Sequence, residues 1–354
     1  MLDDDIKSRY ELRTARGSDE AEAVFRFRYE HFFHSFADGY PGLDRARKRL
    51  FGPHDTGSTH YCAFDAHGKL CAVSTSTPAC APDVPAAWRE WFQFGRLAPP
   101  GLEGIVVSTR MVIHPDHRHN GLFDLFYRFI IERYLDAGFS RALHYCSPGF
   151  VCRYEHLGHR LYGEPFMMPP GLLRVCMLMA LDDPDHLLRV GSPVAGLCAA
   201  RPPRSGASAR ALLPELAVPP NFRLFSPEER VAYILARAGA DRLAWLEEIL
   251  PEIEHASPLR LRAGLSHSAP PHGGFLCLVL NGEILESGAR RTAGPGSFVG
   301  LGQLIDPGSP PSPFTVLTDA EVLVFDQGHI RADGRRLLAG RALANEVIPC
   351  GTPL

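Results

Sequence analysis

The sequence predicts an α+β protein with a mixed-sheet domain followed by a small, helix-flanked β-roll domain. Three observations indicate this class. The N-terminal half alternates strand-like and helix-like segments in the order β-α-β-β-α-β-α-β. Residues 191–221 hold six prolines among Gly, Ala, Ser and Arg, which is typical of a linker without a core. Short strand patterns with Gly/Pro turns then run from Leu259 to Asp326. The predicted domains are therefore 1–190 and 222–354.

Bulk properties narrow the class of protein. A chain of 354 residues exceeds the usual single-core size, which agrees with two domains. A net charge of −3 argues against a nucleic-acid partner or an anionic membrane surface. Nine scattered cysteines without a Cys-x-x-Cys pair indicate reduced thiols in a cytoplasmic protein. The longest apolar run, near Val175–Leu181, is too short to span a bilayer, so no membrane span is expected.

The N-terminal elements follow in order. A strand at Tyr10–Arg16 precedes a helix that Ser18 and Asp19 can cap. Two strands joined by Ala66-His-Gly68 read as a hairpin. The segments predicted after Ser18 are an aromatic-rich helix around Phe25–Phe36, strands Thr59–Asp65 and Lys69–Thr77, a short helix over Trp88–Phe94, strand Gly104–Ile113, helix Leu122–Ala137, strand Arg141–Cys146, helix Phe150–Leu157 and strand Leu172–Leu181.

Two motifs point to function. Arg118-x-x-Gly121 lies in the turn that opens the helix after strand Gly104–Ile113, and a helix N-terminus offers unpaired N–H groups and a positive dipole end to phosphate. Tyr154-x-x-x-Gly158 follows the next strand. In this order, the motifs resemble those of the Gcn5-related N-acyltransferases. The resemblance implies that a thioester arm lies between strands Gly104–Ile113 and Arg141–Cys146.

The same resemblance implies roles for individual residues. Backbone N–H groups near Met111, Val112 and Ile113 would polarise the thioester carbonyl. Tyr154 would protonate the leaving thiolate. The donor phosphates would be held by Arg118, His119, Asn120, Gly121 and Leu122. Phe123 stands where the family has a small residue, and a ring there narrows the space for a pyrophosphate, so an acyl carrier protein thioester is an alternative donor to acyl-CoA.

Residues 10–180 further resemble the acyl-homoserine lactone synthases and the long-chain N-acyl amino acid synthases. The segment Phe25-Arg-Phe-Arg28-Tyr-Glu-His-Phe32-Phe33 carries this resemblance, as does Ser108-Thr-Arg110. Asp44 and Asp55 also precede the hairpin strand. The implied substrate-binding residues are Arg28, Phe32, Asp44, Asp55 and Arg110. Val107 stands where the lactone synthases carry a glutamate, which favours acylation of an amino acid or another amine.

Other reactive side chains are candidates for catalysis or metal binding. Glu103 is the candidate general base, with a solvated loop carboxylate as the alternative. His114, His117 and His119 crowd one turn, but no Cys or acid joins them at ligand spacing, so no metal is expected. Cys152 is either an acyl relay or a buried thiol.

The C-terminal domain begins with the helix start Ser226-Pro-Glu-Glu, and helical periodicity continues to Ile253. Its strands resemble a cyclic-nucleotide-binding domain through 278–283, 295–300 and 316–326. Leu301 replaces the glutamate that binds the ribose, and Pro311–Phe314 lacks the arginine that binds the phosphate. Cyclic-nucleotide binding is therefore not expected. A last helix is predicted over His329–Asn345.

These observations favour an N-acyltransferase that moves an acyl group from an acyl carrier protein or coenzyme A thioester to a small amine, with that amine and the carrier protein as partners. Two alternatives stay open: a protein-lysine acetyltransferase controlled by the C-terminal domain, and a non-catalytic ligand sensor. Acyl length, acceptor and a homodimeric state are left open.

Overall fold

The computed structural model describes residues 4–32, 40–97, 101–169, 171–201, 220–239, 253–267, 276–288, 290–300 and 313–325. The chain divides into two compact units. The first comprises Met1–Tyr145, Leu157–Gly163 and Cys176–Val218. The second comprises Cys146–His156, Glu164–Val175 and Pro219–Leu354. The domain boundaries at 190 and 222 stay a prediction.

Nine strands lie among the described residues before residue 190. They are β1 (Tyr10–Thr14), β2 (Leu43–Asp44), β3 (Arg49–Leu50), β4 (Thr59–Asp65), β5 (Leu70–Pro78), β6 (Ile105–Ile113), β7 (Arg141–Cys146), β8 (Arg160–Met168) and β9 (Leu172–Ala180). Seven of them form one sheet in the order β1-β4-β5-β6-β7-β9-β8, and β2 pairs with β3. Neighbours from β1 to β6 are antiparallel, whereas β6 and β7 are parallel. This confirms the predicted mixed sheet.

The sequence reading missed β8, which lies at the edge of the sheet. Its residues are mostly half-buried, and it contains Gly163 and Pro165. These residues are typical of loops, and proline is tolerated in a strand only where its missing N–H is not needed. The edge position explains why the sequence pattern for this strand is weak and why a strand forms there despite its proline.

Nine α-helices are described. They are α1 (Asp4–Ser8), α2 (Gly17–Phe32), α3 (Ala86–Trp91), α4 (Phe94–Leu97), α5 (Leu122–Asp136), α6 (Val151–Leu157), α7 (Pro184–Arg189), α8 (Ala195–Ala200) and α9 (Pro227–Ala238). Helix α2 begins one residue before the expected cap, and the Glu20 carboxylate accepts from the Arg16 N–H. Helix α9 begins with the predicted capping box of Ser226 and Glu229. None of the described helices is long and apolar enough to cross a membrane.

Helix α5 and the strands show how the first unit is packed. Apolar residues recur every three or four positions along α5, and they are buried at Leu122, Leu125, Phe126, Ile130 and Ile131. Helix α2 packs Val24, Phe25 and Phe27 against the sheet residues Cys62, Val73 and Val112. The buried apolar face of α2 therefore lies over the middle strands, and its Arg28 is carried into the same interior.

The second unit contains two four-stranded sheets. Their strands are β10 (Ala256–Leu261), β11 (Ser266–His267), β12 (Leu276–Asn281), β13 (Ile284–Glu286), β14 (Arg291–Ala293), β15 (Phe298–Val299), β16 (Phe314–Val316) and β17 (Ala320–Phe325). The sheet orders are β10-β17-β12-β15 and β11-β16-β13-β14. Strands were predicted here, but Leu301, half of Pro311–Phe314 and the last helix lie outside the described residues. The cyclic-nucleotide-like assignment stays a prediction.

Candidate active site

Strand β6 carries a bulge at Arg110 and Met111. Val112 is opposite Val73, and Thr109 is opposite Thr75, so two residues of β6 face Ser74 alone. Arg110 has φ +54°, a left-handed conformation that is uncommon for a residue with a side chain. A bulge of this kind turns a strand and redirects its side chains. It therefore gives the Arg110 side chain a direction that regular pleating would not.

The sheet also opens beside the bulge. Parallel pairing joins Ile105–Val107 of β6 to Arg141–Leu143 of β7. Strand β6 continues to Ile113 and β7 to Cys146, beyond the paired residues. Within the described pairing, the stretch of β6 that contains Met111, Val112 and Ile113 has no register partner in β7. Val112 is buried, and its two neighbours are half-buried.

A buried ion cluster lies against the bulge. The Asp55 carboxylate accepts from Arg28 Nη1 at 2.9 Å and from Arg110 Nη1 at 2.5 Å, one oxygen for each guanidinium. The Gly52 N–H donates to the same carboxylate at 2.7 Å. The side chains of Arg28 and Asp55 have no exposed surface, and 5% of the Arg110 side chain is exposed. Three of the predicted substrate-binding residues therefore meet, from α2, the turn before β4, and β6.

The cluster has one positive charge in excess. Burial alone would raise the pKa of Asp55, but the charges of Arg28 and Arg110 outweigh it and hold that pKa below its usual range. Burial lowers the pKa of Arg28 to about 10, against the attraction of Asp55. All three groups are therefore charged at neutral pH, and a buried excess cation is costly unless an anion joins it.

Two neutral histidines complete the cluster, and the sequence reading missed both. His60 Nε2 donates to the Asp55 carbonyl at 3.2 Å, and Nδ1 accepts from Arg28 Nη2 at 3.2 Å. Thr75, opposite His60 across the β4–β5 pair, contacts the same nitrogen at 2.9 Å. Burial and the charge of Arg28 lower the pKa of His60 to about 4. This part of the site depends on the register of β4 with β5, which places His60 opposite Thr75.

His54 is the second neutral histidine. Its ring packs on Trp88 at 4.7 Å between centroids, and only 6% of the residue is exposed. Burial and the charge of Arg110 lower its pKa to about 4. Neither ring nitrogen has a hydrogen-bond partner among the described residues, and the same holds for Arg110 Nε. Unpaired buried polar atoms are costly, so a ligand that pairs with them would gain affinity.

A cavity of about 600 Å³ lies next to the cluster. Asp55 and His60 form part of its wall, together with Phe25 and Phe51, and the first turn of α2 lines another side. It is large enough for a small amine and is bounded by both acidic and aromatic groups.

The predicted donor turn is built differently from a free phosphate cradle. Arg118 Nε donates to the Ile113 carbonyl at 3.1 Å, and Asn120 Oδ1 accepts from the Leu122 N–H at 3.1 Å. Gly121 has φ +84°, and a Cβ there would come within 2.7 Å of Ile6 Cδ1 of α1. His119 is exposed with φ +63°. One amide of the helix N-terminus is therefore capped, while the exposed Arg118 guanidinium keeps further N–H groups.

Two predicted residues lie away from the cluster. Asp44 accepts from the Arg47 N–H at 3.0 Å and lies 3.4 Å from Arg49, so it stabilises the β2–β3 turn, which is the common use of Asp in turns. Glu103 is exposed before β6, roughly 20 Å of extended strand from Arg110. This position agrees with its alternative reading as a solvated carboxylate. The side chain of Phe32 lies outside the described part of the chain.

Tyr154 and its neighbours belong to the second unit. Tyr154 lies in the middle of α6, half-buried, and burial raises the pKa of its phenol. Cys152 is buried, and its thiol donates to the Glu254 carbonyl at 3.7 Å, which agrees with a buried thiol. Glu155 is buried and accepts from Ser257 at 2.5 Å, and burial raises its pKa to about 8.

The three clustered histidines are not brought to a common centre. His114 Nδ1 accepts from the Asp116 N–H, and His119 is exposed. His117 instead lies beside Asp65 and Cys71, which come from the β4–β5 hairpin. Among the described residues, no two of the eight cysteines form a disulfide.

No protein-family model matches the chain, and no curated protein matches it. Among solved structures, it is similar to a CoA-dependent acyl-homoserine lactone synthase, BjaI, solved with MTA, at 17% identity over 52% of this chain and 90% of that one (TM-score 0.41). A second CoA-dependent lactone synthase, MesI, matches at 19% identity over 56% and 98% (TM-score 0.40). FeeM, an N-acyl amino acid synthase from uncultured soil microbes, matches at 15% over 53% and 98% (TM-score 0.39). At these values, the similarity assigns no activity or substrate to this chain.

Proposed function

We propose that the chain is an N-acyltransferase that moves an acyl group from a coenzyme A or acyl carrier protein thioester to the amino group of a small molecule that also bears a carboxylate, such as an amino acid. One observation carries the proposal. Arg110 belongs both to the bulge at the open edge of β6 and to the buried cationic cluster, so a donor on that edge and an anionic acceptor on that cluster would meet.

The open edge of β6 suits the donor arm. A pantetheine chain carries two amide groups and is extended, so it pairs with a strand edge as a peptide does. The gap after Val107 and Leu143 supplies such an edge in the parallel part of the sheet. The backbone around Met111–Ile113 would then offer an N–H to the thioester carbonyl. Arg118 at the following turn would hold the donor phosphate.

The cationic cluster suits the acceptor carboxylate. A carboxylate placed on Arg110 would neutralise the excess charge and pair with the buried Nε. His54 would supply a further ring nitrogen at the same place. The cavity lined by Asp55 and His60 would hold the rest of the molecule. An amine without a carboxylate would leave these groups unpaired, which is the physical basis of the proposed selectivity.

The chemistry is acyl transfer. The acceptor nitrogen attacks the thioester carbonyl carbon, a C–N bond forms, and the C–S bond breaks. The nitrogen loses one proton and the departing sulfur gains one. Tyr154 is the proposed donor to sulfur on its sequence motif alone. Because Glu103 lies far along β6 from the bulge, we assign the nitrogen proton to solvent water in the cavity.

The test uses purified protein, acyl-CoA and acyl carrier protein donors of several chain lengths, and a mixture of amino acids, with products read by mass spectrometry. Each amino acid is matched with the amine that lacks its carboxylate. We expect N-acyl amino acids, and about tenfold or more lower kcat/KM for the matched amines. Arg110→Lys keeps the positive charge but removes the guanidinium group that can bind a carboxylate with two hydrogen bonds. It should therefore raise the acceptor KM more than the donor KM. Absence of product from every pair, or equal use of both amine sets, contradicts the proposal.

A further inference from the structure

Three side chains with metal-ligand chemistry meet where the β4–β5 hairpin touches the turn after β6. Asp65 ends β4, Cys71 is the second residue of β5, and His117 ends the short turn Pro115–His117. One ligand atom of each lies within 4.8 Å of the other two. The His114 N–H donates to the Cys71 carbonyl at 2.8 Å, so the backbone fixes the turn to the hairpin.

The distance between the two softer ligands matches tetrahedral coordination. Cys71 Sγ lies 3.3 Å from His117 Nε2. A zinc ion bound at about 2.3 Å by sulfur and about 2.0 Å by nitrogen holds the two ligand atoms roughly 3.5 Å apart at a tetrahedral angle. The pair therefore requires almost no movement to share one ion.

A hydrogen-bond chain orients the imidazole. Tyr10 Oη lies 2.9 Å from His117 Nδ1, and Asn120 Nδ2 donates to the same phenol oxygen at 2.8 Å. The Asn120 amide is oriented by its oxygen, which accepts from the Leu122 N–H. A phenol oxygen accepts two hydrogen bonds, so His117 Nδ1–H can be the second donor. Nε2 then keeps its lone pair toward Cys71, and outer partners of this kind accompany metal-bound histidines.

The third ligand and the charges agree with this arrangement. Asp65 Oδ1 accepts from the His67 and Lys69 N–H groups at 2.9 Å each, which holds the carboxylate in place. Cys71 is fully buried. A thiolate and a carboxylate together carry two negative charges, which a divalent cation neutralises. Asp65 and His117 are half-buried, so solvent reaches that side.

We propose that Asp65, Cys71 and His117 bind a divalent transition-metal ion, with zinc favoured by the mixed sulfur, nitrogen and oxygen ligands and water as the fourth ligand. On binding, the metal–sulfur bond replaces the S–H bond of Cys71, and the proton leaves to solvent without any redox change. His117 directly precedes Arg118, so the ion would fasten the proposed donor turn to the hairpin. Its three protein ligands, Asp65, Cys71 and His117, are not among the groups proposed for acyl transfer.

The test is a titration of chelator-treated full-length protein with Co²⁺ and then Zn²⁺, with no donor or acceptor present. We expect one equivalent of Co²⁺ to give a thiolate charge-transfer band that Zn²⁺ abolishes. Cys71→Ser should remove the band, and His117→Ala and Asp65→Asn should weaken binding about tenfold or more. Tyr10 would orient the His117 imidazole without touching the ion. Tyr10→Phe should therefore weaken metal binding by at most about 10- to 100-fold.

The matched controls are Cys80→Ser, an exposed cysteine, and His114→Ala, a neighbouring histidine outside the group. Both should bind Co²⁺ like the parent protein. Circular dichroism of each metal-free variant checks the fold, and His117→Ala decides the matter if Cys71→Ser does not fold. A missing band in the parent, or a band that survives Cys71→Ser or disappears in Cys80→Ser, overturns the proposal. Because no acyl substrate is used, this result is independent of the proposed acyl transfer.

Discussion

Asp55→Asn is the sharpest perturbation of the candidate active site. The substitution keeps the size of the side chain and removes the charge that separates two buried guanidinium groups. The cluster then carries two positive charges instead of one, and the new amide group presents a donor to an arginine. Removal of one partner of a buried ion pair costs about 3–5 kcal/mol, because the remaining charge stays buried and uncompensated.

This cost converts to a measurable shift. A loss of this size lowers the unfolding midpoint by roughly 10 °C in a domain of this order of size. Urea and thermal unfolding of the first cooperative transition, followed by circular dichroism at pH 7, measure it. Asp44→Asn is the matched control, because Asp44 makes its ion contacts at the surface, where solvent screens them. The control midpoint should stay within experimental error of the parent.

The dependence of stability on pH gives a second test of the same cluster. The folded-state pKa of Asp55 is lowered, so its contribution to stability is present above the unfolded value near 3.9 and is lost as the pH falls below it. The stability gap between the parent and Asp55→Asn should be constant from about pH 5 to 7 and should narrow below about pH 4. A gap below about 1 kcal/mol at pH 7, or one equal to that of the Asp44 control, would refute the role given to the cluster.

Four further predictions concern other residues. Tyr154→Phe should lower kcat by about 10²-fold with little change in KM, and wild-type turnover would return Tyr154 to a packing role. Arg118→Ala should weaken donor binding in a titration and leave the fold intact, and unchanged affinity would refute the donor placement. Glu155→Gln should remove a pH dependence of the free energy of unfolding. Because the folded-state pKa of Glu155 is raised to about 8, its contribution to stability is full below about pH 4.5 and falls until about pH 8. Over that window the parent should lose up to about 1.4 kcal/mol of stability per pH unit, and the variant should not. Calorimetry at millimolar cyclic AMP and cyclic GMP should show no binding, and saturable micromolar binding would favour the regulated acetyltransferase.

Local pattern was enough for much of the fold. A hairpin signal predicted β4 and β5, β-branched residues predicted β6, and the capping signal at Ser226 predicted the start of α9, because these signals act over a few neighbouring residues. Strand β8 was missed, since this edge strand is mostly half-buried and contains Gly163 and Pro165, so its buried residues follow no regular pattern. The predicted substrate residues Arg28, Asp55 and Arg110 were named from an ordered resemblance, without knowledge that they touch.

Only the tertiary structure joined those three residues, and it separated Asp44 and Glu103 from them. Register decided this: the pairing of β4 with β5 places His60 against Thr75, and the bulge in β6 turns Arg110 toward Asp55. The same register brings Asp65 and Cys71 to His117, although no spacing in the chain suggests the group. The sequence determines which side chains are present. The distance between two ligands depends on strand pairing and on bulges, which form only when distant segments pack together.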